Sequence, residues 1–230
     1  MRDLRGDLGN VWRAASRLTS SEGGGRTAMF VSARDGEGTT SVAGSIALMA
    51  SRRAQKQAWL VDLDLRRNSA FKAFETGFAK HVGPPGRAFD ASLRREQIYS
   101  VVPRVATRGS DKLLTAHEIP GTQLLVTRFR NEHLNRGQRV QIRTQPSWWS
   151  GLREIADWII VDAPSLERSP AALAAASQMD GVFIVVEADR TSAQDVVAAR
   201  REIEAHGGEV RGLVMNRVGS AARFADRFSG

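Results

Sequence analysis

Residues 29–47 read "MFVSARDGEGTTSVAGSIA". An apolar, strand-like segment passes through a glycine-rich turn into a helical segment of small residues. Phosphate-binding loops occur in that setting, between a strand and a helix. Gly36 and Gly38 permit backbone angles that other residues resist. Their N–H groups, together with a helix N-terminus beginning near Thr39, can face an anion. Such loops carry lysine and then serine or threonine after the last glycine. Here Gly38 is followed by Thr39, Thr40 and Ser41. The loop has either lost its lysine or never carried one. Thr40 falls where a magnesium-binding hydroxyl is expected.

Two other stretches bear on that choice. "AWLVDLDLRR" (58–67) places Asp62 and Asp64 at the end of a buried strand, with Arg66 and Arg67 following. In an extended chain, residues two apart point the same way. Parallel α/β sheets bind ligands at the C-terminal edge of their strands. Paired carboxylates there hold magnesium through water, or orient an attacking hydroxyl. "DWIIVDAPS" (157–165) ends another apolar strand with Asp162, the position of a metal-holding aspartate in nucleotide-binding sheets. One such aspartate is ordinarily a cap or turn residue. All three segments in this order point to a nucleotide site, and the loop then reads as descended from a lysine-bearing one.

Three further apolar runs, "QLLVT" (123–127), "VFIVV" (182–186) and "GLVMN" (212–216), suit strands buried on both faces. Helices are expected over 39–54 and over 148–156, the latter with Trp148, Trp149, Leu152 and Ile155 on one side. Another starts at Ser169-Pro170, with serine as cap and proline in the first turn. Thr191 with Gln194 resembles a capping box for a helix that Gly207 closes. This alternation predicts an α/β fold, a mainly parallel sheet flanked by helices in a three-layer sandwich. Residues 66–122 are less regular: "HVGPPGRAFD" and "RVATRGSDK" read as loops, and Phe71, Phe74 and Phe78 recur at helical spacing as core residues.

Near the N-terminus, Leu4, Leu8, Val11, Trp12, Ala15 and Leu18 share one face of an amphipathic helix over 4–18. Packing against the domain is the preferred reading, over membrane or partner contact. "SSEGGGR" follows as a flexible joint. The expected division is an N-terminal helix and linker over 1–26 and a nucleotide-binding-like domain over 27–230.

The 230 residues suffice for one large α/β domain, and the absence of cysteine excludes disulfide and thiolate chemistry. The N-terminal stretch lacks the apolar core of a signal peptide, and no apolar run approaches the roughly 20 residues that span a bilayer. A cytoplasmic protein is expected, reaching the inner membrane only through a partner. The net charge of +8 is carried almost wholly by arginine. The arginines are scattered and form no stripe, so arginine-rich codon usage accounts for them as well as an anionic partner does.

With these motifs in hand, the sequence resembles bacterial tyrosine kinases (BY-kinases) of the MinD/ParA group of deviant P-loop ATPases. "SARDGEGTTSVAGSIA", "WLVDLDLRRNS" and "DWIIVDAPS" look like their Walker A, Walker A′ and Walker B motifs. "DGVFIVVEADRTSAQDV" and "RGLVMNRV" look like their later strands, and the likeness extends over most of residues 27–218. The resemblance implies an ATP site formed by Arg34, Gly36, Glu37, Gly38, Thr39, Thr40 and Ser41, with Asn216 and Arg217 near the adenine. It implies Mg2+ at Thr40, Asp62 and Asp162, and catalytic work by Asp62 and Asp64. The implied partner is an inner-membrane polysaccharide co-polymerase acting in capsule, exopolysaccharide or adhesive polysaccharide synthesis. Homo-oligomer formation is left open, and nucleic acid is not expected as a partner.

Two departures matter. Thr39 replaces the lysine, and a lysine–phosphate contact has a Coulomb scale of about 4 kcal/mol at an effective dielectric near 20. Arg34 stands at the position of the group's extra signature lysine. The family's C-terminal tyrosine cluster has no counterpart in "NRVGSAARFADRFSG", and the sole tyrosine is Tyr99. A catalytically weak or inactive member is therefore expected. The alternatives are an active ATPase or kinase with an altered loop, and a MinD/ParA-like positioning ATPase.

Overall fold

The computed structural model describes residues 2–20, 23–103 and 112–217. In chain order its strands are β1 (Arg26–Ser32), β2 (Ala58–Asp62), β3 (Ala88–Asp90), β4 (Tyr99–Val102), β5 (Leu114–Glu118), β6 (Leu124–Phe129), β7 (Arg139–Ile142), β8 (Trp158–Asp162), β9 (Gly181–Glu187) and β10 (Val210–Asn216). The helices are α1 (Gly9–Ala15), α2 (Thr39–Ser51), α3 (Ser69–Thr76), α4 (Ala79–Val82), α5 (Trp148–Ile155), α6 (Ala171–Ala175) and α7 (Ala193–Ala205).

Eight strands form one sheet in the order β10-β9-β1-β8-β2-β6-β5-β3. The first six run parallel, and each is one of the apolar runs of the sequence. β5 and β3 extend the sheet antiparallel at one edge, and β4 pairs with β7 in a separate ribbon. The pleat sends alternate residues of β1 to opposite faces. Ala28 and Phe30 join Val42, Ile46, Phe74 and Phe78 under α2 and α3. Met29 and Val31 join Trp148, Trp149, Leu152 and Ile203 under α5 and α7. Helices on both faces of a mainly parallel sheet make the expected three layers.

α2 is buried almost all round, because the N-terminal arm covers its outer side. The Leu4 N–H donates to Ser45 Oγ at 2.9 Å. Leu4, Leu8, Trp12, Ala15 and Leu18 are buried as the sequence predicts. Trp12 packs on Trp158 with ring centroids 4.9 Å apart. The helix itself covers only Gly9–Ala15, shorter than the expected 4–18. A turn at residues 5–7 and glycines at 6 and 9 explain this, since glycine disfavours helix by about 1 kcal/mol relative to alanine.

Other local expectations shift slightly. Trp148, Trp149 and Leu152 of α5 are buried, but Ile155 is 42% exposed. The inward position near the end of α5 belongs instead to Arg153, which bonds Thr27 and Asp180. Pro170, not Ser169, caps α6, and the Ser169 hydroxyl accepts from the Ala171 N–H at 3.2 Å. The capping box of α7 is Ser192 with Asp195, one residue later than Thr191 with Gln194. Gly207, at φ +79°, closes α7 as expected. The "HVGPPGRAFD" segment contains the end of α4 and all of β3. "RVATRGSDK" lies outside the described residues except for Lys112, as does the C-terminal stretch beyond Arg217.

Candidate functional site

The three motif strands are neighbours, in the order β1-β8-β2. Register places Asp162 beside Phe30 on one side and Asp62 on the other. The loop and the aspartates therefore meet at one C-terminal edge, the ligand-binding edge of such sheets.

The loop's conformation depends on its glycines. Gly36 and Gly38 sit at φ +86° and +90°, in the left-handed region. A Cβ at Gly38 would also strike the Asn216 side-chain amide. That amide donates to the Glu37 carbonyl at 2.8 Å, so Asn216 clamps the loop from the end of β10. Arg217 turns its guanidinium to Glu187 Oε1 at 2.9 Å. Thr39 and Ser41 lie in the first turn of α2, both buried.

Glu37 has an unexpected role. Its side chain is fully buried. Oε2 accepts from the Arg34 N–H at 2.9 Å, and Oε1 accepts from the Glu187 N–H at 3.2 Å and from the Thr191 hydroxyl. It thereby ties the phosphate-type loop to the segment between β9 and α7. Arg34 points away along α7 and pairs with Asp195 at 3.1 Å.

Thr40 hydrogen-bonds the Asp162 carboxylate. Burial and the neighbouring Asp64 charge raise the Asp162 pKa to about 7, opposed by the Thr40 bond and by Arg168. Burial first, then the charges of Asp162 and Asp64, push Asp62 well above the ordinary carboxylate range. Asp162 Oδ1 is buried and has no hydrogen-bond partner.

Asp62 and Asp64 are not held as an extended pair. β2 ends at Asp62 and the chain turns, with the Asp64 N–H donating to Asp62 Oδ1 at 2.8 Å. The other Asp62 oxygen accepts from the Ala70 N–H at 2.7 Å, at the start of α3. Asp64 Oδ2 accepts from Arg168 Nη1 at 2.7 Å. Arg168 also pairs with Asp35 at 3.3 Å, and Arg67 with Asp35 at 3.2 Å. Beside this chain of ion pairs opens a cleft of ≈ 640 Å³, lined in part by Asp64, Arg66, Arg67, Arg168, Ile142 and Pro170. A larger open depression of ≈ 950 Å³, lined by Arg2, Arg5, Arg52 and Lys80, lies at the other end of α2 from the loop.

Arg168, Asp35 and the anchoring role of Glu37 are what sequence reasoning missed. The available signal was an arginine six residues beyond Asp162, in a site short of a cation. Among the described residues no three His, Asp or Glu side chains converge in metal-ligating geometry. The fit for magnesium is the hydroxyl–carboxylate pair of Thr40 and Asp162, with Oδ1 directed nowhere else and water completing the shell. The fit for a phosphate is the pair of left-handed glycines ahead of the α2 N-terminus.

No protein-family model matches the chain. In structure it is similar to MinD of Aquifex aeolicus, with TM-score 0.54 and 17% identity over 88% of this chain and 72% of the other. It is also similar to the kinase domain of VpsO, with TM-score 0.60 and 15% identity over 94% of both chains. The likeness to these structures is one of fold, a mainly parallel sheet flanked by helices. In sequence the chain is similar to tyrosine-protein kinase CpsD of Streptococcus agalactiae, 26% identical over 203 residues, which span 86% of this chain and 78% of that one. The resemblance to bacterial tyrosine kinases read from the motifs thus recurs in both sequence and fold. No helix among the described residues is long and apolar enough to cross a membrane.

Proposed function

We propose that the chain is a BY-kinase-like protein that binds magnesium–ATP at the β1-β8-β2 edge and transfers phosphoryl groups weakly or not at all. Its role would be in capsule, exopolysaccharide or adhesive polysaccharide synthesis, at the inner membrane beside a polysaccharide co-polymerase. The Thr40 hydroxyl on the buried Asp162 carboxylate carries the nucleotide reading. Bound magnesium would neutralise phosphate charge there. Thr40 and Asp162 would hold the metal, while Gly36 and Gly38 leave the loop backbone open to phosphate.

Thr39, which offers no positive charge where a lysine is expected, supports weak catalysis, and Tyr99 is buried on β4, shielded from solvent rather than presented as a phosphoacceptor. The similarity to CpsD supports the polysaccharide role. Affinity purification from the native cell is expected to recover polysaccharide-assembly proteins, and deletion to alter surface polysaccharide. Recovery of none, with polysaccharide unchanged, would refute the role.

The placement of Asp62, Asp64 and Asp162 along one strand edge favours a second reading, an active ATPase with an altered loop. Magnesium-dependent turnover abolished by Asp62→Ala would establish it, and no turnover would exclude it.

A further inference from the structure

The loop lacks its lysine, yet one guanidinium lies beside its first left-handed glycine. A Cβ built on Gly36 would sit 3.5 Å from Arg190 Nη1. Arg190 belongs to the turn between β9 and α7, where Asp189 takes φ +65°. Glu37 staples this turn to the loop through the Glu187 N–H and the Thr191 hydroxyl, on either side of Arg190. The cation is therefore held at the loop by a buried carboxylate that belongs to the loop itself.

Charge pairing separates Arg190 from Arg34, Arg67 and Arg168 near the edge. Arg34 is matched by Asp195. Arg168 and Arg67 are matched by Asp64 and Asp35, two cations to two anions. Arg190 and Arg217 share a single carboxylate, Glu187, at 3.1 and 2.9 Å. Each guanidinium takes one oxygen of that carboxylate, so neither has a carboxylate to itself. Arg190 is also half-exposed, so an incoming anion can reach it.

We propose that Arg190 supplies, from the β9–α7 turn, the phosphate-binding cation that Thr39 does not. Glu37 acts as its positioning residue. The ligand is the phosphate chain of the nucleotide, so this inference rests on the nucleotide reading of the site. Guanidinium can grip two phosphate oxygens at once, which suits a cation arriving from beside the loop rather than from within α2.

Calorimetry with Mg2+-ATP on the full chain tests this, using wild type, Arg190→Ala and Arg190→Ala/Thr39→Lys. Arg190→Ala is expected to weaken binding by about tenfold or more, the scale of one charge-assisted hydrogen bond. Thr39→Lys in the same chain is expected to restore it. Thermal melts without ligand should nearly coincide, since the ion pair that Arg190 makes among the described residues is half-exposed on the arginine side. Affinity unchanged by Arg190→Ala would overturn the proposal. So would a loss that Thr39→Lys does not repair, which would assign Arg190 to holding the loop rather than the phosphates. No binding by wild type would refute the nucleotide reading itself, a result distinct from both.

Discussion

Two carboxylates, Asp180 and Asp162, are buried at opposite edges of the same sheet. Asp180, just before β9, meets Arg153 at 3.0 Å, and both side chains are almost fully shielded. It also accepts from the Thr27 N–H and hydroxyl at 2.7 and 2.8 Å. Asp162, at the end of β8, faces Asp62 and Asp64 with only one oxygen engaged. Both pay a desolvation penalty, but only Asp180 recovers it inside the protein. A carboxylate stabilised within the fold serves the fold. One left in the company of other carboxylates is poised for an external cation.

Substitutions at the two edges should therefore act in opposite directions. The largest effect is expected from Arg153→Met, which strands Asp180 in the interior. Breaking one partner of a buried pair costs about 3–5 kcal/mol, readable by denaturant unfolding at neutral pH. A loss below 1 kcal/mol would mean that Asp180 is satisfied without Arg153 and that the contrast between the edges is false.

Asp162→Asn should do the reverse. Its folded-state pKa, about 7, lies above its ordinary 3.8. Between those values the folded chain keeps a proton that the unfolded chain has released. Wild type therefore loses stability as pH rises across this window, and the asparagine variant, which keeps only the Asp62 titration, loses less. The variant's advantage should grow from pH 4 to 7 and level off above, with an upper bound of about 4 kcal/mol at about 1.4 kcal/mol per pKa unit. Parallel pH profiles for the two chains would contradict this.

The smallest effect is expected at Arg34→Ala. Its pair with Asp195 is nearly half-exposed on the arginine side, and such solvent-screened pairs contribute little to stability. A larger loss in unfolding measurements would place Arg34 in the site's architecture rather than on its rim.

The legible part of the fold was its continuous apolar pattern. Five of the six parallel strands are runs such as "AWLVD" and "DWIIVD", buried on both faces and hence unbroken in sequence. β10, with the run "GLVMN", was expected to be buried but lies at the sheet edge with Leu213 and Met215 exposed. β5, "LTAHE", was missed because it is half-buried, with alternating exposure. β4 and β7, in the small ribbon, are likewise only partly covered. At the site, Asp62 and Asp162 were legible because each ends such a strand. The contacts that organise them were not, because they join distant segments: Arg168 reaches Asp64 across 104 residues and Glu37 reaches Glu187 across 150. No local spacing encodes those pairings. The shift from Thr191 to Ser192 as helix cap has the same origin, since the Thr191 hydroxyl is drawn away to Glu37.

The central claim is that the metal-facing edge is intact while the loop's own cation is missing at Thr39. Calorimetric titration of Mg2+-ATP into wild type and Thr39→Lys tests it most directly. Wild type should bind weakly and the variant about tenfold more tightly, as one added charged contact to phosphate provides. Equal affinities, or no binding by either chain, would contradict the account.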